Sequence, residues 1–134
     1  MQISLGKPPI YNEAAKAFTL TGAEVFTYGD TLYNPGHGEI QDHLLVHEEV
    51  HATQQNHNDA DAAIWWKRYF EDVNFRVDQE VEAYGAQYKF ICKKVKDRNQ
   101  RSKYLFLMAQ HLSSPMYGSV ITHSEAVKAI RIQS

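Results

Sequence analysis

The chain has a single cysteine, Cys92, among 134 residues. An intrachain disulfide is therefore excluded, and so is a zinc site built from several thiolates. Cys92 itself reads as a small core or half-buried side chain. Neither sign of charge prevails: 14 Lys and Arg stand against 16 Asp and Glu, a net charge of -2. Without a dominant basic stripe, nucleic acid is not expected as the main partner, and Lys93-Lys94 and Arg98 to Lys103 read as solvated surface. Long apolar runs are missing too. No stretch approaches the roughly 18 residues that span a bilayer, so no membrane partner is expected. Met1 to Lys7 lack the charged start and apolar run of a signal peptide, which makes the cytoplasm the expected compartment.

What remains suits one soluble globular unit. Hydrophobic residues make up 43% of the chain and charged residues 22%, an ordinary balance for a folded domain. No repeat or linker interrupts residues 1–134, which read as a single domain. After the stiff Pro8-Pro9 pair, Asn12 is a possible cap for a short helix through Glu13 to Lys16. Phe18 to Leu20, Val25 to Tyr28 and Thr31 to Tyr33 are β-prone runs separated by Thr21-Gly22 and Gly29-Asp30. They predict a small antiparallel sheet of two or three strands. Asn34 to Gly38 breaks the pattern ahead of a helix from about Glu39 to about Asn56.

Further helices follow. Asn58 to Asp61 offers several N-caps before the aromatic segment Ile64 to Phe70, which reads as core packing. From about Phe75 to about Lys96, Val77, Val81, Tyr84, Tyr88, Ile91 and Val95 form one apolar stripe. Tyr104 to Leu112 makes another helix, and Thr122 with Glu125 has the spacing of a capping box ahead of the last. The expected class is α+β, mainly helical: a small antiparallel sheet, then a helix carrying the motif below, then a helix carrying glutamates.

That motif is His47-Glu48-Glu49-Val50-His51, an H-E-x-x-H sequence. Histidines four apart on a helix leave the same face and can converge on one ion. Glu48 is placed as general base for a water on that ion. The motif points to Zn²⁺ and to a hydrolase of peptide bonds, with a peptide or protein as substrate. His43, one turn before His47, suits an exposed or supporting role. His37, His57, His111 and His123 read as surface or hydrogen-bonded, and Tyr84, Tyr88 and Tyr117 as packing before oxyanion donors.

Catalytic zinc usually keeps three protein ligands and one open position. The third must come from elsewhere, and Glu80 and Glu82 are the candidates. At about 100° per residue, Glu80 lies beside the Val77–Tyr84–Ile91 stripe and Glu82 nearly opposite. Small neighbours, Ala83 and Ala86, put Glu82 slightly ahead, but either face can meet the motif helix.

His47 to Gln54 followed by Glu82-Ala83 resembles the gluzincin metallopeptidases in their minimal, single-domain form. Gln54 resembles the H-E-x-x-H-x-x-Q variant of small members, some encoded by phages. The resemblance covers roughly Val25 to Phe90. It implies that Glu82 is the third ligand, and that a sheet-edge strand, here Thr31 to Tyr33, pairs with extended substrate. The aspartate many gluzincins carry two or four residues after that glutamate is replaced by Tyr84 and Ala86. Asp78, Glu80, Gln87 or a backbone carbonyl must then orient the histidines. The competing class is a non-catalytic, metal-stabilised binding or assembly protein, for example in a phage. His43 or Glu80 as an additional ligand would favour it. Oligomeric state, and whether residues 113–134 cover the cleft, are open at this level.

Overall fold

The computed structural model describes residues 1–134. In chain order the elements are β1 (Gln2–Ser4), α1 (Tyr11–Ala17), β2 (Phe26–Tyr28), β3 (Thr31–Tyr33) and α2 (Asp42–Gln54). They are followed by α3 (Asp59–Glu71), α4 (Val73–Lys94), α5 (Arg98–Leu112), a 3₁₀ turn (Pro115–Tyr117) and α6 (His123–Gln133). The class is α+β and mainly helical. No helix is long and apolar enough to cross a membrane.

The sheet differs from the expected one in two respects. Strand order is β1-β3-β2, with β2 antiparallel to β3 and β1 parallel to it, Ile3 opposite Leu32. Phe18 to Leu20 is not a strand; Phe18 instead packs on the rings of Tyr69 and Phe70. Its place in the sheet goes to Gln2–Ser4, three residues too short to show an alternation. Thr31–Tyr33 is consequently the central strand, not an edge. Gly29 opens the two-residue β2–β3 turn at φ 63°, where a side chain is strained. An added Cβ there would also lie 2.2 Å from Asp59 Oδ1.

Helix ends follow local chemistry. Asn58 caps α3 through the amides of Ala60 and Asp61, and Asp72 caps α4 through Phe75 N. Thr122 and Glu125 form the expected capping box of α6. Asn12 does not cap α1: the helix begins at Tyr11 after Ile10, with no side-chain cap. α5 starts at Arg98, six residues before the apolar pattern does, because Asp97 caps the amides of Asn99 and Gln100. α2 stops at Gln54, where Asn56 and His57 turn to positive φ.

One cluster of buried apolar side chains draws on β2, α1 and α3 to α6. The aromatic helix contributes Trp65, Trp66 and Tyr69, with Trp65 stacked on Tyr69 at 4.9 Å between ring centres. α2 gives that cluster nothing. Its fully buried residues are His47, Glu48, His51 and Ala52, while Leu44, Leu45, Val46 and Val50 are only half-buried around them. Cys92 is half-buried as expected. Arg76 ties the chain behind the site: its guanidinium donates to the carbonyls of Tyr69, Phe70 and Met116.

Replacing Arg76 with Met strands three carbonyls inside the fold. The expected loss is roughly 2–4 kcal/mol of stability, read as a lower urea midpoint at unchanged slope.

Candidate metal centre

Two helices build the site. α2 turns His47, Glu48 and His51 inward, and α4 faces it with Glu80, Ala83, Tyr84 and Gln87, all buried. These positions repeat at helical spacing and form one side of α4, the side of the Val77–Tyr84–Ile91 stripe. Glu80 Oε1 lies 2.9 Å from His47 Nε2 and 3.2 Å from His51 Nε2. Glu82, the ligand implied by resemblance, does not join them. It is exposed and accepts a hydrogen bond from Gln54 Nε2 at 2.8 Å. The physical reason is rotation: two residues carry Glu82 about 200° round the helix from Glu80. The stripe side, with Ala83 at its border, meets α2 here, and Glu82 points away from it; the glutamate at the imidazoles is followed by Val81.

The surrounding amides settle which ring nitrogens carry protons. Gln54 Nε2 donates to the Gln79 carbonyl and to Glu82. Its Oε1 therefore faces His51 Nδ1, at 2.8 Å, and can only accept. On the other side, His43 Nε2 donates to Gln41 Oε1, so His43 Nδ1 accepts from Gln87 Nε2 at 2.8 Å. Gln87 Oε1 is thereby turned to His47 Nδ1, also at 2.8 Å. Both Nδ1 atoms are donors, so each Nε2 offers a lone pair once its ring is neutral. The orienting groups are Gln87, one of the expected candidates, and Gln54.

The two Nε2 atoms are 3.2 Å apart. With Glu80 Oε1 they form a triangle of three acceptors, which repel unless a proton or a metal ion sits among them. Two imidazole nitrogens and a carboxylate oxygen form a donor set that suits zinc, and tetrahedral ligands about 2.0–2.1 Å from it lie about 3.3 Å apart. The residues present fit the ion. Tyr69 donates to the other carboxylate oxygen, Glu80 Oε2, at 2.6 Å, leaving Oε1 for the triangle.

Glu48 stands beside this group. Ligand atoms of His47, Glu48 and His51 all lie within 4.8 Å of one another. Yet Glu48 Oε2 is 3.8 Å from His47 Nε2, farther than Glu80. Its Oε1 accepts from the Thr27 hydroxyl at 3.1 Å. The ligand position is thus better met by Glu80, and Glu48 is held just outside. Burial pushes the Glu48 carboxyl up, against the lowering effect of His51 and His47. Burial acts on Glu80 in the same sense, but the charge of His51 and hydrogen bonds from both imidazoles hold it well below the usual range. Burial disfavours charge on His51 as well; Glu80, then Glu48 and Gln54, outweigh it and push His51 up to about 9.

A cavity of about 560 Å³ opens over these residues. Trp65, Trp66 and Tyr69 line it, as do Met116 and Tyr117 from the segment 113–134. Trp65 is thus both core and wall, with its ring 5.3 Å from that of His51. His111 also lines the cavity and is hydrogen-bonded through Nδ1 to the Tyr84 hydroxyl. Burial lowers His111 and raises Tyr84, so the imidazole stays neutral and the phenol protonated near pH 7. The remaining histidines are held at the surface: His37 by the Leu5 carbonyl, His57 by Asp30 and His123 by the Phe106 carbonyl. Thr27, Tyr69 and His111 carry no mark in the sequence that separates them from packing residues. The helical spacing Glu80–Tyr84–Gln87 is the one signal in the sequence for this side of α4, and the expectation of Glu82 does not use it. No protein-family model matches this chain, and neither a curated protein nor a solved structure matches it.

Two outcomes follow from this geometry. Glu80→Gln is expected to lose bound metal, by about 100-fold or more in affinity, while Glu82→Gln, which touches only the partner of His51, loses about 10-fold or less. Isothermal titration with Zn²⁺ measures both. Because His51 must release a proton for an ion to enter, apparent affinity should rise with pH up to about 9 and level off above it. A flat profile between pH 6 and 9 would contradict the assignment of that proton.

Proposed function

We propose that this chain is a zinc-dependent hydrolase of peptide bonds. The observation that carries the reading is the triangle of three acceptor atoms with a separate, tethered carboxylate beside it. His47, His51 and Glu80 would hold the ion. When bound, the ion supplies Lewis acidity, acidifying water and polarising a carbonyl. Glu48 takes up a proton and returns it to the leaving amine, a task that suits a carboxyl whose proton affinity burial has raised. Thr27 occupies Oε1 of that carboxylate, which leaves Oε2 on the side of the imidazoles. Tyr84, kept protonated, lines the same cavity; with His111 Nδ1 donating in the hydrogen bond they share, its hydroxyl proton is left for negative charge developing on the substrate.

The competing reading is a structural ion with four protein ligands. The approach of Glu48 within 4.8 Å of the histidines favours it; the other route to four ligands does not. Glu80 replaces Glu82 instead of adding to it, and His43 is separated from His47 by Gln87.

Glu48→Gln separates the two. A hydrolase retains one zinc per chain and loses cleavage of a peptide library by about 10³-fold or more. In a structural site the same change weakens zinc binding, and unchanged turnover would remove Glu48 from the mechanism.

A further inference from the structure

Resting on that reading, we infer that the cavity takes short, uncharged amides by an apolar side group, and does not hold an extended polypeptide by backbone pairing. Two observations lead there. The first concerns the sheet. Strand pairing with a substrate needs a row of unpartnered backbone groups beside the base. β3 is enclosed between β1 and β2. β2 is the strand at Glu48, through Thr27, but the Thr27 carbonyl already accepts from Gln55 Nε2 at 3.0 Å and Trp66 Nε1 at 2.9 Å. The opposite rim belongs to β1, two strands or about 9.6 Å from β2. β2 is the outer strand beside the base, and at Thr27, which is buried, its carbonyl is already taken.

The second concerns the cavity itself. Its volume, about 560 Å³, is that of a site for a small ligand. Phe18, Leu20, Val25, Phe26 and Met116 give it apolar lining. No Lys or Arg lines it, while Glu24, Glu48 and Glu80 do. Glu24 is already engaged by the amides of Thr21 and Gly22. An apolar group entering from the ion meets apolar side chains, and an acidic one meets carboxylates with no Lys or Arg to balance them.

The test uses the full chain loaded with zinc, its metal content measured first. Hydroxamates serve as probes: acetohydroxamate, 3-phenylpropionohydroxamate, the monohydroxamate of succinate, and the phenyl compound extended by three residues. The phenyl group is expected to tighten binding about 10- to 100-fold over acetohydroxamate. The acidic probe should bind more weakly than acetohydroxamate, and the extension should change affinity less than about 3-fold. Val25→Asp should erase the phenyl gain and leave acetohydroxamate binding in place. Affinity that grows with chain length, or is equal for all probes, would overturn the inference. So would failure of every hydroxamate on protein holding one zinc per chain. A chain that takes up no zinc would instead overturn the reading of the site, and this inference with it.

Discussion

The molecule depends on a helix that turns its polar side inward. α2 buries two imidazoles and the Glu48 carboxylate, and α4 adds the carboxylate of Glu80. Unpaired, each charged group would cost several kcal/mol in such surroundings. None is unpaired. Gln54 and Gln87 satisfy the outer ring nitrogens, Tyr69 and Thr27 the outer carboxylate oxygens. What is left over points to one place. Satisfying the periphery with single-purpose donors and acceptors forces the remaining lone pairs together, and only a positive charge relieves them. A group able to hold a proton or a metal ion here is a consequence of how the flanking groups are satisfied.

The rest of the fold holds that arrangement still. The apolar cluster lies beside and behind the polar one, assembled from α1, β2 and α3 to α6, so α2 is pressed onto α4 by a frame to which it contributes no buried apolar side chain. Trp66 and Gln55 both grip the Thr27 carbonyl, fixing the strand whose hydroxyl steadies Glu48. Arg76 joins the end of α3 to the 3₁₀ turn that walls the cavity. Close packing of this kind restricts the side chains that face the site.

Local signals in the sequence translated well where the chemistry was local. The caps at Asn58 and Thr122, the loop at Asn34 to Gly38 and the stripe of α4 all depend on neighbours within a turn or two. Two local signals were misjudged, the cap at Asn12 and the unread cap at Asp97; the larger errors arose where a distant partner decided. Gln2–Ser4 is a strand only because β3 lies beside it, and that parallel partner comes nearly thirty residues later. Its arrival turns Thr31–Tyr33 from an edge into the centre of the sheet. The choice between Glu80 and Glu82 was of the same kind, since helical period separates their directions but says nothing of which side another helix will cover.

The sequence by itself determined that two histidines and a carboxylate would leave adjacent positions of one helix, because spacing along a helix converts directly into direction in space. Tertiary structure alone decided which glutamate meets them, which amides orient them and which hydroxyl restrains Glu48. Apart from Gln54, one turn from His51, those contacts join residues from 21 to 40 positions apart, and packing between helices selects them by shape and hydrogen-bond satisfaction, neither of which is written in the order of the residues.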